Sequence, residues 1–213
     1  MKKTNKKLTT IYIVRHGQSE YNVQRRMAGH ADPPLTKHGE KQAKLLSKKL
    51  ARIQFDAVFS SDLIRAKRTA EIISLDKKLA VITTERLREQ HFGKFEGASY
   101  EKFNAAFRQL LHNYENTSDE VRFNFRLTSD IETDGESVTR FISFLREIAI
   151  GHLNKTILII AHGNIMRYFL IKLGFATYKV LNLQGIDNTA YINLESDGVD
   201  FFVKETQGIH KSE

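Results

Sequence analysis

The sequence predicts an α/β fold, specifically a three-layer α/β/α sandwich with a mostly parallel central sheet and a hairpin at one edge. Short apolar runs alternate with stretches of helical periodicity along the chain, which is the pattern of strand–helix–strand units. The segment 156–161 is apolar throughout, as expected of a strand buried on both faces of a parallel sheet. Near the C-terminus, the strand-like segments 190–194 and 201–204 flank a Ser-Asp-Gly turn at 196–198, which indicates the hairpin.

In the first half of the chain, the predicted elements follow from apolar spacing and from capping residues. Pro33 and Pro34 mark a turn, and the apolar positions behind them recur every three or four residues, as on one face of a helix. The elements predicted here are a strand at 11–14, a helix capped by Thr36 and reaching Ile53, a strand at 56–59 and a helix capped by Asp62 and reaching Ile73.

The second half continues this alternation around one irregular segment. Residues 89–97 are punctuated by glycine and fit neither period, so we expect a loop that lines a site. The other predicted elements are a strand at 79–83, a helix at 100–114 that the polar residues 115–119 end, a helix at 138–148, the strand at 156–161 and a helix at 165–173.

The composition indicates one globular domain over residues 1–213 and excludes several kinds of chemistry. Because the chain has no cysteine, disulfides, thiolate metal sites and cysteine nucleophiles are excluded, and a cytoplasmic location is expected. The basic tail at residues 1–8 lacks the apolar core of a signal peptide, and no run approaches the roughly 18 apolar residues of a membrane span. The net charge is +8, but the lysines are scattered without interleaved aromatic residues. We therefore predict neither a membrane nor a nucleic-acid partner.

Two histidines stand where predicted strands end. Arg15, His16 and Gly17 follow the first strand, and His162 and Gly163 follow the apolar strand of the second half. Ligands bind at the carboxyl ends of strands in open α/β sheets. Both imidazoles are therefore expected in one pocket.

The segment Arg-His-Gly-Gln-Ser-Glu-Tyr-Asn at 15–22 resembles the Arg-His-Gly signature of the histidine phosphatase superfamily. That family includes cofactor-dependent phosphoglycerate mutases and many phosphomonoesterases. Further segments are similar to the family's other motifs, in the same order, and extend the resemblance from about Thr10 to Leu194. They are the glycine-to-Pro-Leu-Thr turn at 29–36, the second arginine motif at 60–70, the acid-bearing loop at 87–97, Gly135-Glu136-Ser137 and Ala161-His162-Gly163.

Phosphoryl transfer requires a nucleophile, fixed positive donors and an acid for the leaving oxygen, because the transferring group spreads negative charge over three oxygens. The resemblance implies that His16 is the nucleophile and forms a phosphohistidine, and that Asn22 hydrogen-bonds the phosphate or the substrate. Arg15 and Arg65 offer planar donor forks that suit phosphate oxygens, and a protonated His162 would add a third cationic donor.

Glycines and one glutamine complete the predicted substrate site. Gly17 would allow close approach of the phosphate, since no side chain intrudes there. The resemblance also places Gly29, Gly163 and Gln18 at the substrate, with Gln18 standing where many relatives carry a charged glutamate.

Glu89 is the predicted proton donor to the leaving alkoxide and later the base that activates water. Glu85 and Glu96 lie close by, but the resemblance of Glu-x-x-Phe-Gly to the family's acid-bearing motif favours Glu89, and Glu96 is expected to order the loop or cap the following turn. No metal site is predicted, because the other histidines lack ligand spacing and are expected in surface or packing positions, with His91 alone near enough in sequence to touch substrate. These histidines are His30, His38, His91, His112, His152 and His210.

Residues 98–134 are predicted to form a helical insertion, and the resemblance implies that it roofs the site. The insertion looks shorter than that of phosphoglycerate mutases, and its dispersed arginines do not form their arginine pair; these are Arg108, Arg122 and Arg126. Ala28 lacks the hydroxyl that those mutases use on substrate. Aromatic residues of the insertion indicate a partly apolar cleft; they are Phe103, Phe107, Tyr114, Phe123 and Phe125.

The sequence thus predicts a metal-independent phosphomonoesterase that acts on small phosphoesters and needs no cofactor. A mutase that depends on 2,3-bisphosphoglycerate is the alternative. A non-catalytic phospholigand-binding module is disfavoured because the five catalytic candidates, Arg15, His16, Arg65, Glu89 and His162, are all present. The edge hairpin would allow a homodimer by strand pairing, but it could equally be capped.

Overall fold

A six-stranded sheet forms the centre of the molecule in a computed structural model that describes residues 7–114 and 117–212. Its strands are Thr9–Arg15 (β1), Ala57–Ser61 (β2), Val81–Thr84 (β3), Thr156–Ala161 (β4), Ile186–Ser196 (β5) and Phe201–Ile209 (β6). They lie in the order β3-β2-β4-β1-β5-β6. The first four pair in parallel, β5 pairs antiparallel with β1, and β6 pairs antiparallel with β5. The predicted mostly parallel sheet with an edge hairpin is confirmed.

Helices cover both faces of this sheet. Those of the described residues are Glu20–Gln24 (α1), Lys37–Lys49 (α2), Ile64–Ser74 (α3), Tyr100–Tyr114 (α4), Asp119–Asn124 (α5), Asp134–Gly151 (α6) and Gly163–Lys172 (α7). None of these helices is both long and apolar enough to cross a membrane.

Two apolar cores separate the three layers, because successive side chains of a strand point to opposite faces. On β1, Ile11 and Ile13 pack in the core that α6 and α7 cover. Val14 packs in the other core, with Leu46 of α2 and Ala70 of α3. The predicted three-layer sandwich is therefore confirmed.

The insertion, residues 98–134, carries α4 and α5 and shares an apolar cluster with Met27 and with the acid-bearing loop at 87–97. Aromatic rings dominate this cluster, and Phe103 makes edge contacts with its neighbours at centroid distances of 5.0 to 5.7 Å. The buried members are Met27, Phe92, Phe95, Phe103, Phe107 and Ile131. The prediction for Tyr114 concerns a side chain outside the described part of the structure.

The capping of α3 differs from the prediction. Asp62 does not cap this helix but binds Arg88, whose Nε donates to Asp62 Oδ1 at 2.9 Å. The first free N–H of α3, that of Ile64, instead donates to Asp32 Oδ1 at 2.7 Å. The helix is thus capped by a carboxylate from the turn that follows α1, which ties that turn to the helix carrying Arg65.

The last two strands are longer than predicted. β5 begins at Ile186 rather than at residue 190, and β6 continues to Ile209 rather than ending at residue 204. The pairing of β5 with β6 is irregular between Ile186 and Tyr191, because polar residues bulge out of β5 there. Because of this bulge, the beginning of β5 lacks the alternation of apolar and polar residues from which a strand is predicted.

Candidate active site

The carboxyl ends of β1 and β4 bring the two predicted histidines together. Arg15 and Ala161 are paired in the parallel ladder, and the His16 N–H donates to the Ala161 carbonyl at 3.0 Å. The rings of His16 and His162 lie edge to face with their centroids 5.1 Å apart. The expectation that both imidazoles share one pocket is confirmed.

The His16 ring is held in one tautomer. Its Nδ1 lies 2.6 Å from the carbonyl oxygen of Gly17, which can only accept, so Nδ1 carries the proton and Nε2 has a free lone pair. Burial, and then the charges of Arg65 and Arg15, hold the pKa of His16 well below its ordinary value of 6.5. A neutral imidazole with a free Nε2 is the form needed for attack on phosphorus.

His162 is fully buried, and neither of its ring nitrogens has a hydrogen-bond partner. Burial, the charge of Arg65 and the neighbouring His16 ring hold its pKa well below 6.5. His162 would add a cationic donor only if protonated, and this lowered pKa favours the neutral ring at neutral pH. Its neutral ring still offers one N–H to an anion.

The two arginines are anchored through their terminal nitrogens. Arg65 Nη1 donates to the Ala31 carbonyl at 2.8 Å and Nη2 to the Gly29 carbonyl at 2.7 Å. Arg15 Nη1 donates to the carbonyl of Ile186. Burial lowers the pKa of Arg65 to about 10, so this guanidinium stays charged at neutral pH.

Four buried nitrogens at this site lack a partner: Arg15 Nε, Arg65 Nε and both ring nitrogens of His162. Within residues 7–114 and 117–212, every unpartnered buried side-chain nitrogen belongs to one of these three residues. With His162 neutral, three of the four are donors: the two arginine Nε groups and one imidazole N–H. Leaving a buried polar group unpaired costs about 1–3 kcal/mol, so these three donors are unfavourable here unless an anion satisfies them. The arrangement fits the oxygens of a phosphoryl group.

Glu89 lies beside these donors and faces the start of α7. Its Oε2 accepts the Asn164 N–H at 3.0 Å, and its Oε1 accepts the N–H groups of Ile165 at 3.0 Å and Gln90 at 3.1 Å. The first turn of the helix therefore fixes the carboxylate. Of its alternatives, Glu85 forms an exposed ion pair with Arg88.

Glu96 orders the acid-bearing loop, as expected. Its Oε1 accepts the N–H of His30 at 2.8 Å and that of Phe92 at 3.1 Å. The loop is held further by His30, whose Nε2 lies 2.9 Å from the Glu89 carbonyl oxygen. The His91 ring stacks obliquely on His30 with centroids 4.8 Å apart, which gives both rings packing roles.

The glycines at the site make room for protein atoms. A Cβ on Gly17 would lie 2.5 Å from the Gly39 carbonyl oxygen, so packing against Gly39 alone requires a glycine here, and the role of Gly17 toward phosphate stays a prediction. A Cβ on Gly163 would lie 3.0 Å from Arg15 Nε. Gly29, at φ +48°, would place a Cβ 2.3 Å from Glu96 Oε1. These glycines let the backbone and the arginine pack closely around His16.

Asn22 and Gln18 both lie close to His16 in the fold, but their amide oxygens are engaged. Asn22 Oδ1 accepts the Ser19 N–H at 3.0 Å in the capping box of α1, and Gln18 Oε1 accepts the Thr36 hydroxyl at 2.9 Å. What remains of each amide for a ligand is its NH₂ group.

Sequence reasoning missed several residues of the site. Asn188 Nδ2 donates to the His16 carbonyl at 3.1 Å, and Thr69 Oγ1 accepts the Gly17 N–H at 3.1 Å. Asn164, whose N–H binds Glu89, directly follows the His-Gly pair, and that adjacency is a signal that the sequence does contain. Asn188 lies in a polar stretch with no local signal.

The aromatic residues of the insertion do not support the predicted apolar cleft. Phe103 and Phe107 are buried in the aromatic cluster that the insertion shares with the acid-bearing loop, and Phe123 is buried in the main core, where it packs edge to face on Tyr178 at 5.3 Å. These three rings contribute to cores, so their apolar character does not indicate a cleft.

A family profile described as the histidine phosphatase superfamily (branch 1) matches residues 11–207. The chain belongs to this superfamily. Phosphoserine phosphatase 1 of Hydrogenobacter thermophilus is 31% identical over 189 residues, covering 86% of this chain and 85% of the relative. Phosphoglycerate mutase-like protein 4 of Arabidopsis thaliana is 32% identical over 163 residues, covering 74% and 67%. The solved structure of Bacillus stearothermophilus YhfR has a TM-score of 0.81 at 27% identity, covering 94% of this chain and 97% of that one.

As a member of the histidine phosphatase superfamily, the chain is an enzyme with a phosphatase or mutase-like activity. One of these relatives is named a phosphoserine phosphatase. Among the residues that the structure describes, no cluster of three or more His, Asp or Glu side chains is arranged to hold a metal ion.

Proposed function

We propose that this histidine phosphatase hydrolyses small phosphate monoesters, without a metal or other cofactor, through a phosphohistidine on His16. The observation that carries the proposal is the set of unpartnered buried nitrogens of Arg15, Arg65 and His162 beside the free Nε2 of His16. Those donors match the charge of a phosphoryl group, and the free Nε2 supplies the electron pair for its transfer.

In the first step, His16 Nε2 attacks phosphorus, a P–N bond forms and the P–O bond to the alcohol breaks. The leaving oxygen takes a proton from the carboxyl of Glu89. In the second step, water attacks phosphorus while the Glu89 carboxylate accepts its proton, and the P–N electron pair returns to His16. Arg15, Arg65 and His162 donate to the phosphoryl oxygens throughout.

Phosphate release from a panel of esters in EDTA tests this proposal. The panel includes phosphoserine, because one relative is named a phosphoserine phosphatase. We expect release from several esters, abolished by His16→Ala and retained by His38→Ala, which changes an exposed histidine on α2. Loss of the wild-type activity in EDTA would show that a metal is required.

Substrates with different leaving groups provide a separate test of the role of Glu89. Glu89→Gln should slow hydrolysis of alkyl phosphates more than that of p-nitrophenyl phosphate, because the nitrophenolate leaves without a proton. Equal slowing of both substrates would contradict a role for Glu89 as the acid.

A mutase is the second candidate, favoured by the relative named phosphoglycerate mutase-like protein 4. It would pass the phosphoryl group from His16 to a second hydroxyl instead of to water. Incubation with 3-phosphoglycerate, with and without 2,3-bisphosphoglycerate, separates the two activities. Bisphosphate-dependent isomerisation with little release of phosphate would favour the mutase, and no reaction with any ester would favour a phospholigand-binding module.

A further inference from the structure

A bulge in β5 reaches into the active site from the edge hairpin. Ile186 pairs with Ile209 and Tyr191 with Gln207, so four residues of β5 stand opposite Gly208 alone. Within the bulge, Thr189 has φ 61°, a left-handed conformation that is rare for a β-branched residue. Such strained conformations persist only where surrounding contacts fix them, and they occur often at active sites.

Two residues of the bulge, Asn188 and Thr189, contact the residues that would handle the phosphoryl group. Asn188 Nδ2 donates to the His16 carbonyl at 3.1 Å and also lies 3.3 Å from Asn22 Oδ1. The Thr189 N–H is directed at the same His16 carbonyl, at 3.4 Å. One amide group therefore links the backbone of the nucleophile to the side chain of Asn22.

This link determines which atom of the Asn22 amide is available. Oδ1 accepts from the Ser19 N–H at 3.0 Å, from the Ser19 hydroxyl at 3.1 Å and from Asn188 at 3.3 Å. With Oδ1 occupied by three donors, the amide cannot flip without losing all of them. The Nδ2 group is then left as a donor of fixed orientation, which suits a phosphoryl oxygen and not a proton donor.

We propose that Asn188, presented by the strained bulge at Thr189 and held on the His16 carbonyl, is a positioning residue that sets the orientation of Asn22 for phosphoryl transfer. This inference rests on the proposed function. Asn188 acts through Asn22, so the two side chains should be coupled: removing Asn188 should matter only while Asn22 is present.

A double-mutant cycle on hydrolysis of p-nitrophenyl phosphate tests the coupling. We expect Asn188→Ala to lower kcat about 10-fold, and Asn22→Ala to lower it about 100-fold as the loss of one direct donor. The double variant should be no more than about 2-fold slower than Asn22→Ala alone. Multiplicative effects, or an Asn188→Ala enzyme with wild-type kcat, would overturn the proposal.

Two further variants separate positioning from folding. Asn193→Ala removes the same side chain from the same strand, where its Nδ2 lies 3.1 Å from the Tyr12 hydroxyl, and kcat should not change. Asn188→Asp keeps the shape of the side chain but replaces the donor with an acceptor, so it should be as slow as Asn188→Ala at an unchanged melting temperature. An Asn188→Asp enzyme with wild-type kcat would contradict the inference.

Inorganic phosphate is the probe that keeps this inference separate from the proposed reaction. Titration calorimetry should show phosphate binding weakened about 10-fold by Asn188→Ala, and not weakened further by that change in the Asn22→Ala background. Should the wild-type protein release no phosphate from any ester, the proposed hydrolysis would fail, and these affinities would still decide the role of Asn188. Equal affinities in wild-type and Asn188→Ala protein would overturn it.

Discussion

His16 and His162 lie side by side at the strand ends, and burial together with the charge of Arg65 holds the pKa of each well below 6.5. In the unfolded chain both rings titrate near their ordinary pKa of about 6.5. Below that pH the unfolded state therefore binds more protons than the native state. The free energy of unfolding should fall as the pH drops below about 6.5 and should not depend on these two groups above it.

This pH dependence can be measured by urea denaturation between pH 5 and pH 8. His162→Gln removes one of the two titrating rings, so the slope of unfolding free energy against pH should be shallower on the acid side. Identical slopes for the wild-type and variant proteins would mean that His162 takes up its proton in the folded state at its ordinary pKa.

Thr189 shows backbone strain at a single residue. Its left-handed conformation costs about 1–2 kcal/mol, which a glycine avoids at an entropic cost of about 0.5–1 kcal/mol. Thr189→Gly should therefore leave the free energy of unfolding almost unchanged. Thr206 lies on β6 and does not have a positive φ, so Thr206→Gly should lower the free energy of unfolding by about 1 kcal/mol. Equal losses for the two variants in urea denaturation would argue against strain at Thr189.

At the scale of elements, the start of α2 and the loop after β1 are packed backbone against backbone. A Cβ on Gly39 would lie 2.1 Å from the Gln18 carbonyl oxygen. Gly39→Ala should therefore destabilise the protein by about 1–3 kcal/mol, and it should also slow turnover because the displaced loop carries His16. Urea denaturation and p-nitrophenyl phosphate hydrolysis measure both effects.

Gly151 provides the matched control for that substitution. It is the last residue of α6, and a Cβ there would meet no atom within 4 Å. Gly151→Ala should leave turnover unchanged and should not lower stability, since alanine favours a helix by up to about 1 kcal/mol over glycine. A loss of stability as large as that of Gly39→Ala would show that the close approach of Gly39 to Gln18 is not the cause.

The aromatic cluster that joins the insertion to the acid-bearing loop is distinct from the two cores of the sheet, so the insertion should open separately from the sheet. Phe103→Ala removes edge contacts with Phe92, Phe95 and Phe107 at a cost of about 3–5 kcal/mol. Amide hydrogen exchange should accelerate across α4 while β1 and β4 keep their protection. Leu110 is an exposed residue on the same helix, so Leu110→Ala should change amide exchange neither in α4 nor in the sheet. Equal acceleration in the sheet would mean that insertion and sheet unfold together.

For the whole molecule, local patterns were enough to predict the layers and most of the site. The apolar run 156–161 coincides with β4, and Thr36 caps α2 as its position indicates, accepting the Gly39 N–H at 2.9 Å. The strand ends place His16 and His162, and motif spacing selects Glu89 from among three glutamates. Each of these features is determined by a short stretch of residues, so it can be predicted from one sequence.

The features that the sequence did not predict depend on contacts between distant segments. The cap of α3 comes from Asp32, which is 32 residues from its partner Ile64, and Asn188 reaches His16 from 172 residues away. The neighbour of Gly17 is Gly39, which no local pattern connects with it. Helical spacing showed that Phe103 faces apolar surroundings, but spacing cannot distinguish a core from a cleft.

The unpartnered nitrogens of Arg15, Arg65 and His162 also affect what happens after the chemical step. In the proposed reaction they would bind the phosphoryl group and not the alcohol, so inorganic phosphate should fit them as well as the ester does. The product should therefore compete with the substrate, and its departure would leave the same buried donors unpaired again. Release of phosphate should accordingly be the rate-limiting step of turnover. The rate of hydrolysis should decline as phosphate accumulates, even while the ester is still in excess.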